Sequence, residues 1–165
     1  FPGKIELVGA LIESVSEREL DAVRRAADAA PGPLSALAAA IATFGGRALG
    51  DRRLAWAVIA EPVDAETDAV RQAYRKALVG EFAARIRAAI GGGHLPEQDA
   101  ALAAAALLGA LLEGLIGPCA PEGVADPARA HEAVQTLTLF ALRGLGVEDS
   151  HPPGLVVHTP HPESE

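Results

Sequence analysis

Apolar residues recur at intervals of three and four along most of this chain, which is the period of an amphipathic α-helix. Glycine and proline clusters divide the pattern, and no segment shows the strict alternation that predicts a half-buried strand. The pattern predicts five or six helices, over approximately residues 2–30, 33–49, 52–61, 64–91, 99–117 and 126–146. The expected fold class is therefore all-α.

The fifth predicted helix is apolar on nearly every side, with alanine and glycine ridges between bulky leucines. A helix of this kind has to be buried on every side. We therefore expect a second subunit to cover part of it. Its longest apolar run, Ala100–Leu112, is shorter than the roughly 20 residues that cross a bilayer. With no visible signal peptide, we expect no membrane association and a cytoplasmic location.

Composition and charge narrow the class of protein. The 165 residues suit one domain, and aromatic residues make up 4% of them, which favours helices over a β-sandwich. The net charge of −8 argues against general nucleic-acid affinity. The single cysteine, Cys119, suits a reducing compartment. The chain has no methionine and starts at Phe1, so we expect a segment upstream of it.

Several segments resemble the TetR family of bacterial transcriptional regulators. They are Phe1–Leu7, Leu54–Asp64, the stretch from Leu95 through Ala100–Leu112 to Pro118, and a final helix ending Leu142–Gly146. The resemblance covers roughly residues 1–147 and implies an orthogonal bundle of about six helices. It implies that residues 1–147 are the regulatory domain, with 1–4 as the junction to a helix-turn-helix that this chain lacks. Residues 148–165, rich in proline and histidine, are expected to be an unpacked tail.

The family resemblance also implies partners and sites. A small, mostly apolar effector would bind in the regulatory domain and control operator binding by the missing domain, with repression as the expected mode. Lys4 would touch a DNA phosphate, although it is also a plausible ordinary surface lysine. The expected ligand-binding residues, which have a plain core role as their alternative, are Phe44, Trp56, Tyr74, Phe82, Leu108 and Leu112. The last two helices would form a four-helix bundle in a homodimer, through Leu102, Ala106, Gly109, Leu137, Phe140 and Ala141.

The remaining polar residues suggest no reaction. Arg47, Glu61 and Glu113 adjoin apolar stripes, so each needs a partner or a position at the rim of the core. Cys119 precedes His131 by twelve residues, but nothing supplies a positioned base and an oxyanion site. Histidines at 94, 151, 158 and 161 lack recognised metal-ligand spacing. We expect no enzyme, no cofactor and no metal.

A second class of protein explains the acidic charge and the apolar helices equally well. It is a helical dimeric carrier or scaffold that binds an apolar ligand or a partner helix without DNA. The sequence upstream of Phe1 separates the two hypotheses, because a basic helix-turn-helix there favours the regulator.

Overall fold

The computed structural model of the protein describes residues 3–123 and 125–147, and these form six α-helices and no strand. The helices are α1 (Lys4–Asp28), α2 (Pro33–Gly50), α3 (Arg52–Ile59), α4 (Ala65–Gly91), α5 (Ala100–Cys119) and α6 (Pro127–Gly144). The prediction of an all-α fold is confirmed. The predicted tail, 148–165, lies outside the described residues.

Aspartate side chains begin four of the helices. Asp64 accepts a hydrogen bond from the Thr67 amide at 2.9 Å, and Asp126 accepts one from the Ala128 amide at 3.0 Å. Asp51 and Asp99 cap α3 and α5 in the same way. Such caps satisfy amides that have no partner within the helix and each contributes about 1 kcal/mol. They explain why the sequence-predicted helix starts lie close to the observed ones.

Helix α2 lies at the centre of the fold and contacts each of the other five helices. Every residue from Leu34 to Ala42 is buried. Five of these nine side chains are alanines, which let neighbouring helices approach the α2 backbone closely. Around them the largest fully buried side chains of the core are Phe82, Leu37, Ile41, Leu78, Ile86, Leu111, Leu115 and Leu142.

Helix α5 has a buried face and an exposed face, and the expectation that a second subunit covers part of it stays a prediction. Its buried stripe consists of Ala100, Ala104, Leu107, Leu108, Leu111, Leu115 and Cys119. On the other face Leu102, Ala106 and Gly109 are exposed. The other helices among the described residues leave this second face of α5 uncovered.

The length of α5 also weakens the argument against a membrane span. The helix continues beyond Glu113 and through Pro118 to Cys119. By length and composition it is apolar enough to cross a bilayer, with a mean hydropathy of 2.0. Its buried stripe is the arrangement that a core helix shows, and cytoplasmic location remains a prediction.

Ion pairs attach the C-terminal half of α1 to α4. The Glu81 carboxylate accepts hydrogen bonds from Arg24 at 3.2 Å and from Arg85 at 2.8 Å. Arg85 also donates to Asp28 at 2.8 Å, so one guanidinium links both helices. Because Val23 of α1 is fully buried, this half of the helix is held by apolar packing as well as by charge.

We expect Leu78→Ala to lower the free energy of unfolding by about 2–5 kcal/mol, because Leu78 is fully buried and truncation leaves a cavity. Urea unfolding measures the change. Leu7→Ala is the matched control, since Leu7 is 66% exposed and its truncation should change stability by less than about 0.5 kcal/mol. Equal losses in the two variants would contradict this placement of the core.

Candidate functional site

A cavity of about 850 Å³ opens beside the second half of α2. Its walls come from α1, the end of α2, one side of α3, one residue of α4, the end of α5, the loop before α6 and the first half of α6. Pockets that hold small molecules usually measure about 300–1,000 Å³ and are mostly apolar with a few placed polar groups. The volume is therefore that of a small-molecule site.

Most of the cavity wall is apolar. Helix α3 buries none of its residues fully and turns the side with Leu54, Ala55, Val58 and Ile59 towards the cavity. The principal apolar lining residues are Val15, Val23, Phe44, Leu49, Leu54, Ala55, Val58, Ile59 and Val134. Such a wall favours apolar ligand surface by the hydrophobic effect.

A charged pair and a tyrosine form the polar part of the wall between α1, α2 and α4. Two nitrogens of the Arg47 guanidinium donate to the Glu19 carboxylate. Nε donates to Oε2, and Nη2 donates to Oε1 at 2.9 Å. Tyr74 lies beside this pair and lines the same cavity. Burial raises the pKa of the Tyr74 phenol well above its usual range, and the charge of Glu19 adds to the rise while Arg47 opposes it. The phenol therefore stays protonated and can donate a hydrogen bond.

Arg52 lies on the cavity wall at the first turn of α3. Its Nη2 donates to the Ala120 carbonyl oxygen at 2.6 Å, which ties α3 to the loop after α5. Its Nε is buried and has no hydrogen-bond partner among the described residues. Gly123 permits this approach, because a Cβ there would lie 2.5 Å from Arg52 Nη2. The structure therefore packs a guanidinium against the loop with part of its hydrogen-bonding capacity unused.

Two of the six residues expected to bind ligand line this cavity, namely Phe44 and Tyr74. The other four do not line this cavity, and their role in ligand binding stays a prediction. Phe82 is fully buried in the core and meets Phe44 edge-to-face, with ring centroids 6.4 Å apart. Leu108 is buried on the core face of α5, while Trp56 and Leu112 pack against that core from outside. Large apolar side chains on these helices serve packing first, and their spacing alone does not separate the two roles.

Sequence reasoning singled out Arg47 but missed its partner. Glu19 lies in a run of alternating charges that predicts a solvated face, and 28 residues separate it from Arg47. Arg52 carries no sequence signal either, because an arginine at a helix start is ordinary. Only the three-dimensional packing of α1, α2 and α3 brings these residues to one cavity.

The residues expected at a dimer interface differ in how much of each side chain is exposed. Leu102 of α5 is 69% exposed, and Ala106 and Gly109 on the same helix are exposed as well. Phe140 of α6 is 62% exposed. Leu137 is half-buried and would meet a Cβ placed on Gly114 of α5. Ala141 is 5% exposed and lies with Thr138 and Leu142 among the buried residues of α6, so little of its side chain is open to a partner.

Lys4 is exposed at the start of α1, where the resemblance implies a phosphate contact. The Glu6 carboxylate accepts a hydrogen bond from the Gly3 amide at 3.0 Å, so it occupies one of the amides that a phosphate could use. The role of Lys4 therefore stays a prediction that depends on its side chain rather than on the helix end.

Among the described residues, Cys119 is a buried free thiol and the histidines belong to no group that could hold a metal ion. Cys119 is buried, its thiol lies 3.8 Å from the Ala48 carbonyl oxygen, and burial raises its pKa above the usual value. A thiol in this state is a weak nucleophile. Within residues 3–123 and 125–147 no group of three His, Cys, Asp or Glu side chains could hold a metal ion. The histidines at 151, 158 and 161 lie outside the described residues.

No family model, no curated protein and no solved structure matches the chain. The resemblance to TetR regulators therefore stays a prediction based on the residues quoted for it.

We expect the ultraviolet titration of the phenol to show Tyr74 ionising well above pH 10 in the native protein and near pH 10 in urea. The chain has one tyrosine, so the signal has one source. Because the native pKa is the higher one, the unfolded chain loses this proton first. The stability that Tyr74 contributes is then complete below about pH 10 and is lost as pH rises towards the native pKa.

Tyr74→Phe is the control for this alkaline loss of stability, and it should remove the part that Tyr74 causes. Glu19→Gln should lower the native pKa of Tyr74, since a neighbouring negative charge disfavours the phenolate. A native midpoint equal to the midpoint in urea would contradict the buried position of the phenol.

Proposed function

We propose that this chain is the regulatory domain of a TetR-like transcriptional regulator, which binds a small effector in the cavity and acts on DNA through a preceding helix-turn-helix. The observation that carries this proposal is the cavity of about 850 Å³ beside α2, with its apolar wall and its Glu19–Arg47–Tyr74 polar group. The sequence resemblance supplies the DNA-binding part of the proposal.

Helix α1 gives the cavity a route to the preceding domain. Val15, Glu19 and Val23 of α1 line the cavity, and the helix begins at Lys4, next to the proposed junction. A ligand that favours one of two positions of α1 would change the separation of two DNA-reading heads in a dimer. Half-sites about 34–36 Å apart would accept only one of these separations. The shift in population is limited by the difference in ligand affinity between the two states.

Exposed apolar residues at the start of α1 support the presence of a further domain. Ile5, Leu7 and Leu11 are 51%, 66% and 57% exposed. They fall within the first two turns or so of α1, whereas the later turns are covered by α2 and α4. A domain joined at the junction would cover this apolar surface.

The exposed faces of α5 and α6 support a homodimer. Leu102, Ala106 and Gly109 of α5 and Phe140 of α6 are exposed, and the two helices contact each other. Small residues on such a face let the helices of a second subunit approach closely, and Phe140 provides a large apolar anchor. Two such helix pairs, one from each subunit, would form the four-helix bundle that the resemblance implies.

The first test of function is to read the coding sequence upstream of Phe1 and to assay the complete product for operator binding. A basic helix-turn-helix and ligand-sensitive DNA binding are expected. A coding sequence without such a segment would contradict the regulator and favour the carrier that binds an apolar molecule without DNA. The net charge of −8 supports this second candidate, because it argues against general nucleic-acid affinity of the chain.

We expect Ala55→Trp to weaken binding of the neutral fluorescent probe N-phenyl-1-naphthylamine by at least roughly tenfold, the factor that about 1.4 kcal/mol represents. Ala55 lines the cavity, so an indole there occupies ligand space. Ala84→Trp is the matched control, because Ala84 is exposed on α4 away from the lining residues. In the complete regulator, Ala55→Trp should keep operator binding but lose its response to ligand. Unchanged probe affinity in this variant would contradict the cavity as the binding site.

We expect Phe140→Glu to weaken dimerisation by about 30-fold or more, the effect of losing an anchor worth about 2 kcal/mol. Sedimentation velocity of the wild-type and variant chains measures it. Leu7→Glu is the control, because it places the same charge on another exposed apolar position far from α5 and α6 in sequence. A monomeric wild-type chain, or a variant that dimerises like the wild type, would contradict the proposed interface.

A further inference from the structure

We propose that the ligand of the cavity is an amphipathic carboxylate, whose anionic head pairs with Arg52 and whose apolar body lies along α3. This inference rests on the proposed function, since it assumes that the cavity binds a small molecule. It narrows the expected effector from any apolar molecule to amphipathic carboxylates, and it names Arg52 as the residue that binds the head group.

The charges around the cavity oppose the charge of the chain. The whole chain carries −8, whereas four arginines and three carboxylates line the cavity. These residues are Arg18, Arg47, Arg52, Arg129, Glu19, Asp51 and Asp126. An acidic protein that gathers an excess of arginines at one cavity provides a local site for an anion.

The three carboxylates of the lining are already engaged. Glu19 pairs with Arg47 at 2.9 Å and lies 3.5 Å from Arg18. Asp51 caps the start of α3, and Asp126 caps α6 and lies 3.6 Å from Arg129. Among the described residues, Arg52 is therefore the lining arginine without an ion-pair partner.

The unused hydrogen-bonding capacity of Arg52 points to the same conclusion. One nitrogen of the guanidinium, Nη2, donates to the neutral Ala120 carbonyl, and no carboxylate of the described residues pairs with Arg52. The Nε is buried without a partner among the described residues. A guanidinium prefers a carboxylate, which accepts two parallel hydrogen bonds from it. A ligand carboxylate that reached the guanidinium from the cavity would compensate its charge.

The apolar lining begins next to Arg52 on the same helix. Leu54, Ala55, Val58 and Ile59 follow it along α3 and face the cavity. A ligand with its head at the first turn of α3 can therefore lay an apolar body along the rest of the helix. The Glu19–Arg47 pair is a poorer site for the head, because a second carboxylate there would meet the charge of Glu19.

The test compares three probes that share a ten-carbon chain and differ only in the head: decanoate, decanol and decyltrimethylammonium. Each is titrated calorimetrically, below its micelle-forming concentration, into the full 165-residue chain. We expect decanoate to bind roughly tenfold tighter than decanol, as a charge-assisted hydrogen bond predicts, and the cation to bind most weakly. The preference for decanoate should decrease with added salt.

Arg52→Gln should abolish the preference for decanoate over decanol while leaving decanol affinity within about twofold of the wild type. Arg53→Gln is the matched control, because Arg53 is the adjacent exposed arginine and does not line the cavity. It removes the same charge from the chain and should keep the preference.

Arg52→Lys keeps the positive charge but loses the planar guanidinium, so it should retain part of the preference for decanoate. Thermal unfolding of this variant tests whether the hydrogen bond from Arg52 to the Ala120 carbonyl is needed for folding.

The outcomes separate this inference from the proposed function. Binding of decanol with no preference for decanoate would overturn the role of Arg52 and leave the ligand cavity standing. A preference that survives Arg52→Gln would overturn the role of Arg52 as well. Failure of all three probes to bind would contradict both the anionic ligand and the cavity as a ligand site.

Discussion

The burial of the alanine-rich first half of α2 is the constraint on which the rest of the structure depends. From Leu34 to Ala42 every side chain is buried, and the small ones let the surrounding helices approach closely. Beyond Phe44 the helix changes character, because Gly46 and Arg47 border the cavity instead of filling a core. The first half of α2 therefore packs in the core, whereas its second half borders the cavity of about 850 Å³. Phe44 marks the change, since its ring meets Phe82 edge-to-face and also lines the cavity.

Local sequence signals were enough to predict the helices but not the cavity. Asp64 and Asp126 each act within a few residues through hydrogen bonds to backbone amides, so their positions could be interpreted directly. Tyr74 and Phe44 could be suggested as lining residues, but Phe82 has the same residue type and spacing and lies in the core. Glu19 and Arg52 could not be found, because their partners lie 28 and 68 residues away. The two faces of α5 depend likewise on which helices cover it, and a nearly uniform apolar sequence does not encode that choice.

Charge has two separate roles in this protein. The Glu19–Arg47 pair compensates itself across α1 and α2, so it gives the cavity polarity without net charge. Arg52 is bound to a neutral carbonyl and keeps its charge. A polar but neutral inner wall and an uncompensated cation at the start of α3 together favour a ligand with a polar end and an apolar body. An entirely apolar ligand would provide no countercharge for the Arg52 guanidinium, which donates only to the neutral Ala120 carbonyl among the described residues.

The attachment of α1 determines how the proposed cavity could act on a preceding domain. Its second half is fixed to α4 by the Glu81 ion pairs and by buried Val23, whereas Ile5 and Leu7 at its start are exposed. Because Val23 is fully buried, apolar packing restrains this half of α1 together with the ion pairs. Between the two regions Glu19 faces the cavity and binds Arg47.

A ligand that contacts the Glu19–Arg47 pair would thus act near the boundary between the packed and the exposed parts of α1. A small rotation there is amplified at the distant N-terminal end of a helix of 25 residues. Coupling through α1 needs no rearrangement of the α2 core, which is too closely packed to deform gradually.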